Sequence, residues 1–268
     1  DNVPGVGPRR IAIAFLGTRG DCQPFIALAL GLRARGHHVR AFSNNMHRGF
    51  VEAYGIEFAA FSPERVAIKG KEENMGIFAK DLFTNENFEE DLRKFAEEVR
   101  RFGPDILLAG SLVNKYCYAM GAATGVPVMN LLLQNIYPNR RRLPMGLPSF
   151  PHAIGWANHA VSRLGVALES LSMRQGDDIT QRVLGVRVWT GVGPRAFWET
   201  VIRVPYPYSL VANPRSIAKA LYSYMPPNLR LTGYWIIDAE HQLSSAGAGQ
   251  FGGEQAQREL EAFIAAGE

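Results

Sequence analysis

Apolar runs of strand length alternate with helically spaced apolar positions along the first half of the chain. The run from Ile11 to Leu16 contains no polar residue, which is typical of a parallel strand covered on both faces. The polar stretch Gly17 to Asp21 predicts a tight turn, and a helix is expected to open near Pro24 and to end at Gly36. A second strand, His38 to Ser43, then completes a β-α-β unit with a right-handed crossover.

The same alternation continues towards the middle of the chain. It predicts three further strands, at Ile56 to Phe61, Asp105 to Ala109 and Val126 to Leu133. Helices are expected around these strands, at Met46 to Tyr54, Phe88 to Val99 and Val113 to Met120. Residues 62–87 and 137–151 interrupt the pattern and are interpreted as long loops. The fold class predicted is α/β, a Rossmann-like doubly wound parallel sheet with helices on both faces.

The second half of the chain has a weaker pattern. Ala157, Val161, Leu164, Leu168 and Leu171 predict a long helix that packs its apolar stripe on the core and continues towards Leu184. Late strands are expected at Val201 to Val211 and Leu229 to Thr232. We therefore predict a polar tail at residues 1–9, trimmed or disordered, and one domain at residues 10–235. Residues 236–268 are interpreted as a Gly-rich linker followed by a helix.

Composition narrows the functional classes. The chain has 268 residues, 47% hydrophobic content and a net charge of +4 with neutral histidines. No one-sided basic stripe interleaved with aromatic residues is present, so nucleic acid is not expected as a partner. Cys22 and Cys117 are far apart in the sequence, and no apolar run approaches the ~20 residues that a membrane span requires. These observations predict a cytoplasmic protein without a metal site.

The turn after the first strand is the main candidate for chemistry. Ligands of such sheets bind beyond the carboxyl ends of the strands, and the N–H groups of a helix start can approach an anion. The glycines of this turn read Gly-x-x-Gly rather than Gly-x-Gly-x-x-Gly, and the second strand ends in Ser43-Asn44-Asn45 without an acid. A nucleotide-dependent oxidoreductase is therefore disfavoured.

This turn and the helix after it resemble a known enzyme family. The residues Gly17-Thr18-Arg19-Gly20-Asp21-Cys22-Gln23-Pro24-Phe25, followed by Gly36-His37, are similar to the N-terminal segment of two-domain (GT-B) glycosyltransferases. The relatives that fit best are sterol glucosyltransferases and antibiotic-aglycone glycosyltransferases. The resemblance implies that the chain is the acceptor-binding half of such an enzyme, and that residues 236–268 lead towards an absent donor domain.

The function implied is inverting transfer of a sugar from a nucleotide diphosphate sugar, UDP- or TDP-linked, to a hydroxyl of a hydrophobic acceptor. The acceptor classes implied are sterols, lipids and polyketide-like aglycones, and no other cofactor is expected. The donor would be bound mainly by the absent domain, so the chain alone is expected to be inactive. The alternative is a non-catalytic binding or auxiliary protein built on the same domain.

Asp21 is the candidate base, which would take the proton of the attacking hydroxyl. Its alternative role is to cap the helix, because Asp is a preferred capping residue. Thr18, Arg19 and Gly20 are expected to contact donor phosphates or to order the turn. Further substrate contacts are expected in the loops, at Met75, Phe83, Gln134, Asn135 and His152.

Two other features have ordinary explanations. Cys22 is interpreted as a packing residue, because no histidine lies near it in the sequence. Arg140-Arg141-Arg142 is most simply a solvated patch, with contact to an anionic membrane surface or to the donor diphosphate as the alternative. His47 and His159 have no metal-type spacing. His159 is expected to border the acceptor cleft together with His152, and His47 is assigned no role.

Overall fold

The structure, a computed structural model, describes residues 7–62, 87–133, 150–151, 154–190, 209–211, 229–243 and 253–266. Seven strands of these residues form one parallel sheet in the order β3-β2-β1-β4-β5-β6-β7. Their bounds are β1 Arg10–Ala14, β2 His38–Asn44, β3 Glu57–Ser62, β4 Ile106–Gly110, β5 Val128–Leu132, β6 Ser209–Val211 and β7 Leu229–Leu231. The chain order reverses between β1 and β4, and ligands of doubly wound sheets bind at such a reversal point.

Helices occupy both faces of this sheet. Their bounds are α1 Arg19–Arg33, α2 Arg48–Ala53, α3 Phe88–Phe102, α4 Asn114–Thr124, α5 Gly155–Gln175, α6 Asp177–Leu184, α7 Ala239–Leu243 and α8 Gly253–Ala266. A 3-10 turn, Asn45–His47, connects β2 to α2, and a second one, Ser111–Val113, connects β4 to α4. The predicted α/β class with helices on both faces is confirmed.

Two apolar clusters hold the layers together. One contains side chains of α1 and α2 packed on alternate residues of the central strands, among them Ile13, Phe25 and Val51. The other contains side chains of α3 and α4 on the opposite face, among them Phe95 and Met120. Because both faces of β1 are covered, the residues Ile11 to Phe15 are at most 5% exposed. This burial is the physical reason for the uninterrupted apolar run.

The start of α1 differs from the sequence prediction. The helix begins at Arg19 rather than near Pro24, so that Pro24 lies inside it. Thr18 is the N-cap residue with an extended backbone (φ −84°, ψ 178°), and Asp21 belongs to the first turn. The helix can begin at these polar residues because a side chain of the first turn caps its free N–H groups. The spacing of apolar residues predicts only the part of the helix that is buried.

The helical segment after residue 154 also departs from the prediction. It is divided at Gly176 into α5 and α6, and the expected core stripe of α5 faces outward. Leu164 and Leu168 are 59% and 52% exposed, whereas Asn158 and Ser162 are buried. Asn158 Nδ2 donates to the Phe150 carbonyl, and Ser162 Oγ donates to the Asn158 carbonyl. These local hydrogen bonds satisfy the small polar groups, so the polar side of α5 can be buried.

Candidate functional site

A pocket lies beyond the carboxyl end of β1, at the start of α1. Its volume is about 490 Å³. The residues that line it are Thr18, Gly20, Asp21, Pro24, Leu133, Tyr234, Trp235 and Ile236. One end of this lining is the polar start of α1, and the other is formed mainly by large apolar side chains. Such a combination suits an organic ligand with a polar group at one end.

Asp21 is fixed at the polar end of this pocket. Its Oδ2 accepts hydrogen bonds from the Thr18 N–H (2.8 Å) and from the Thr18 hydroxyl (3.0 Å). No hydrogen bond from the described residues reaches Oδ1 of Asp21. The carboxylate therefore stabilises the first turn of α1 with one oxygen and retains a second oxygen that can accept a proton. The capping role and the role as a base are compatible in this geometry.

Gly17 makes this placement of Asp21 possible. Its φ is +123°, which is a backbone conformation that side-chain-bearing residues rarely adopt. An ideal Cβ on Gly17 would lie 2.4 Å from Oδ2 of Asp21, well inside van der Waals contact. The carboxylate thus occupies the space that a side chain at residue 17 would need.

Residues near position 235 form the apolar wall and were not predicted from the sequence. Tyr234 and Ile236 are 58% and 67% exposed, which is unusual for large apolar side chains. The Trp235 ring contacts the Phe25 ring of α1 at a centroid distance of 6.3 Å. Ile237, at 1% exposure, anchors this segment in the core. The segment follows β7, so only the sheet order brings it back to the start of α1.

The predicted substrate-binding residues divide into three groups. Thr18 and Gly20 line the pocket with Asp21. The Arg19 guanidinium lies over the Phe50 ring, 4.7 Å from its centroid, and Arg19 does not line the pocket. The remaining predicted contacts lie outside the described residues: Met75, Phe83, Gln134, Asn135 and His152. Leu133, at the end of the described part of that loop, does line the pocket.

The cysteines and potential metal ligands do not extend this site. Cys22 and Cys117 are buried, and burial raises the pKa of both thiols. A thiol held in its protonated form is a poor nucleophile, which agrees with the packing role predicted for Cys22. Within the described ranges, no group of three or more His, Cys, Asp or Glu residues is placed to hold a metal ion. None of the helices described is long and apolar enough to span a membrane.

His47 lies behind the turn and was not assigned a role from the sequence. It is 4% exposed, its ring contacts Phe15 (5.8 Å between centroids), and its Nε2 lies 3.0 Å from the Gly17 carbonyl oxygen. Burial lowers the pKa of His47, although the Gly17 hydrogen bond and the Asp21 charge act in the opposite direction. No spacing rule connects residues 47 and 17, so this contact depends on the fold.

Comparison with known families decides the class of the domain that carries this turn. Residues 11–110, which include β1, the turn and α1, match the glycosyltransferase family 28 N-terminal domain. This part of the chain is therefore similar to a glycosyltransferase N-terminal domain. The recognition made from Gly17 to Phe25 is thereby confirmed.

Curated proteins that are similar to this chain include glycosyltransferases. The chain is 51% identical over 51 residues to O-mycaminosyltylonolide 6-deoxyallosyltransferase of Streptomyces fradiae, which corresponds to 19% of this chain and 12% of that protein. It is 51% identical over 49 residues to a sterol 3-beta-glucosyltransferase of Arabidopsis thaliana, covering 18% of this chain and 8% of the relative. The similarity is thus strong but confined to a small share of each relative.

Solved structures show how far the fold of the glycosyltransferase domain extends. The kitacinnamycin glycotransferase aligns with 88% of this chain and 54% of its own, with a TM-score of 0.53 and 16% identity. The calicheamicin glycosyltransferase CalG4 aligns with 85% of this chain and 53% of its own, with a TM-score of 0.53 and 17% identity. The chain has the fold of about half of a GT-B glycosyltransferase.

Proposed function

We propose that this glycosyltransferase domain binds a hydrophobic acceptor and that Asp21 is the base that deprotonates the acceptor hydroxyl. The observation that carries this proposal is the position of Asp21, with one carboxylate oxygen held by Thr18 at the polar end of a largely apolar pocket. An acceptor of the sterol, lipid or polyketide-like aglycone class would lay its apolar body against Tyr234, Trp235 and Ile236 and present its hydroxyl to Asp21.

The reaction proposed is in-line displacement at the anomeric carbon of a nucleotide diphosphate sugar. The acceptor oxygen forms the new glycosidic bond, its proton passes to Asp21, and the nucleotide diphosphate leaves with the bonding electron pair. Attack on the side opposite the leaving group inverts the configuration. A carboxylate base works best when the proton moves late, because the attacking hydroxyl becomes acidic as its bond to carbon forms.

The donor site is proposed to lie mainly in a second domain. The two solved structures extend well beyond the part that this chain matches, at 54% and 53% of their lengths. The chain alone would then bind acceptor without transferring sugar, and a UDP- or TDP-linked donor would require the other domain. We propose that Thr18 and Gly20 face the donor phosphates, and the support for this is that both line the pocket beside Asp21.

A change in the apolar wall tests acceptor binding in the complete two-domain protein. Ile236→Ser removes an exposed apolar side chain from the pocket lining and is expected to raise the acceptor KM by about tenfold, since burying such a side chain against a ligand contributes roughly 1.5 kcal/mol. The donor KM should stay within about twofold of the original value. The measurement is initial-rate kinetics with UDP- and TDP-sugars against sterols and aglycones, with product configuration read by NMR.

Ile154→Ser is the matched control, because Ile154 is 41% exposed and does not line the pocket. It should leave both KM values unchanged. Equal acceptor KM values for the Ile236 and Ile154 variants would contradict the acceptor role of this pocket, and a product that retains the sugar's configuration would contradict the single displacement.

The remaining expectations stay predictions. For Arg140-Arg141-Arg142, peripheral contact with an anionic membrane surface was the alternative to a solvated patch, and this run lies outside the described residues. The non-catalytic alternative, a binding or auxiliary protein that has this domain without a donor domain, would bind the same acceptors and show no transfer.

A further inference from the structure

One peptide unit of the turn connects two side chains that are far apart in sequence. The Gly17 carbonyl and the Thr18 N–H belong to the same planar peptide group. The oxygen of this group lies 3.0 Å from His47 Nε2, and its N–H donates to Asp21 Oδ2 at 2.8 Å. A continuous chain of hydrogen bonds therefore runs from His47 through the peptide to the Asp21 carboxylate.

The tautomer of His47 follows from this geometry. A carbonyl oxygen can only accept, so Nε2 must carry the hydrogen. Burial favours the neutral ring, so that Nδ1 is unprotonated. His47 thus donates one hydrogen bond to the turn while remaining uncharged behind the site.

His47 itself is held on a rigid support. It is the last residue of the 3-10 turn that follows β2, it is 4% exposed, and its ring contacts Phe15 at the end of β1. The neighbouring residue Ser43 strengthens the same junction, because its Oγ donates to the Phe15 carbonyl at 2.7 Å. The orientation of the Gly17–Thr18 peptide is therefore fixed from the β2 side of the sheet.

We propose that His47 is a positioning residue for Asp21, acting through the Gly17–Thr18 peptide. This inference rests on the proposed function for its catalytic consequence, whereas the positioning itself is a structural statement. Rotation of the peptide would withdraw the Thr18 N–H from Oδ2 of Asp21. Hydrogen bonds in series also polarise one another, so the His47 bond strengthens the bond to Asp21.

Two substitutions separate hydrogen bonding from packing. His47→Gln retains an N–H donor at a similar distance from the backbone, and His47→Phe retains a ring against Phe15 and loses the donor. In the complete protein, His47→Phe is expected to lower kcat about five- to tenfold, the effect of one lost hydrogen bond, with KM for both substrates within about twofold. His47→Gln is expected to recover most of kcat. The same pair of changes at His38, at the amino end of β2, should leave kcat unchanged.

A spectroscopic measurement makes the result independent of activity. The Thr18 amide proton is expected to move upfield in His47→Phe and to return towards its original position in His47→Gln. In an Asp21→Asn background, His47→Phe should cause no further loss of kcat, because the residue acts through Asp21.

The outcomes distinguish this inference from the proposed function. An unmoved Thr18 amide signal, or equal losses of kcat in the Phe and Gln variants, would overturn the positioning role. A shifted Thr18 signal with full activity in both His47→Phe and Asp21→Asn would support the positioning role and overturn the assignment of Asp21 as the base.

Discussion

At Gly17 the backbone conformation determines where the carboxylate of the candidate base can lie. Its positive φ and its missing side chain are both needed, since the carboxylate of Asp21 occupies the space of a Cβ. Gly36 also has a positive φ, +84°, but a Cβ added there would meet nothing within 4 Å. Comparing the two positions therefore separates backbone strain from crowding at the site.

Gly17→Ala is expected to cost more stability than Gly36→Ala. At Gly36 the added methyl meets nothing within 4 Å, so only the strain of a left-handed residue remains, about 1–2 kcal/mol. At Gly17 the methyl also displaces the Asp21 carboxylate, which adds the loss of the Thr18 hydrogen bonds, each worth about 1 kcal/mol. Urea unfolding of both variants measures the difference. Equal losses of unfolding free energy would show that the carboxylate is not held against Gly17.

His47 gives the turn a measurable pH dependence. Burial lowers its pKa below the ordinary value of 6.5, and this outweighs the opposing effects of the Gly17 hydrogen bond and the Asp21 charge. The unfolded chain therefore binds a proton at a higher pH than the folded one, so this contribution to stability is present above ~6.5 and is lost as the pH falls through the folded pKa.

The expected result is a smaller pH effect in a variant without this group. Between about pH 7.5 and about pH 5.5, the unfolding free energy of His47→Gln should fall less than that of the original protein. The difference between the two proteins isolates His47 from the other histidines. A fall of the same size in both would contradict the depressed pKa.

At the residue scale, the sequence predicted what local spacing encodes. Asp21 could be selected as the candidate base because the turn that contains it resembles the N-terminal motif of GT-B glycosyltransferases, whereas the residues alone favoured a capping role. His47 could not, since its partner Gly17 is brought to it only by the pairing of β1 with β2. Arg19 was expected to face a ligand. Its guanidinium instead lies over the ring of Phe50 in α2, which is 31 residues further along the chain.

At the scale of elements, the junction of α6 with the following loop shows how one carboxylate organises a segment. Asp177, 1% exposed, accepts hydrogen bonds from the backbone N–H groups of Val188, Trp189 and Thr190 and from the Thr190 hydroxyl. These bonds hold Trp189 against Tyr118 of α4, with ring centroids 5.3 Å apart. The loop is thereby attached to the core beside α4.

Asp177→Ala is expected to be strongly destabilising. It leaves three backbone N–H groups without their acceptor, at a cost of about 1–3 kcal/mol for each group that stays buried. Asp178→Ala, the neighbouring position, removes only an exposed ion pair to Arg187 and should cost less than about 1 kcal/mol. Thermal unfolding followed by tryptophan fluorescence measures both. A similar loss in the two variants would contradict the role of Asp177.

In helix α5 the spacing of apolar residues predicted the helix but not which of its faces is buried. Its leucines have regular helical spacing, but a spacing identifies a face and does not say what the face meets. The hydrogen bonds of Asn158 and Ser162 depend on Phe150 and on the helix backbone, and they turn the polar side inward. Gly176, at which the segment divides, is closely packed, because an added Cβ there would lie 3.1 Å from the Phe88 ring of α3.

At the scale of the whole molecule, the order of the strands explains why the site lies where it does. The reversal between β1 and β4 leaves the β1–α1 turn accessible at the carboxyl edge of the sheet. The uninterrupted apolar strands made the parallel sheet predictable. The apolar wall at residues 234–236 was not, because it reaches the turn only after the last strand. The solved GT-B structures extend over about twice the part matched here, at 54% and 53% coverage.

Turnover of Asp21→Asn in the two-domain protein proposed above tests most directly whether Asp21 is the base. Asparagine can still accept the Thr18 hydrogen bonds and so preserves the turn, but it cannot take up the acceptor's proton. The account predicts a fall in kcat of about a hundredfold or more, with both KM values and the unfolding free energy little changed. Asp178→Asn, an exposed carboxylate away from the pocket, should keep full activity. A folded Asp21→Asn variant with kcat within about twofold of the original would contradict the central claim.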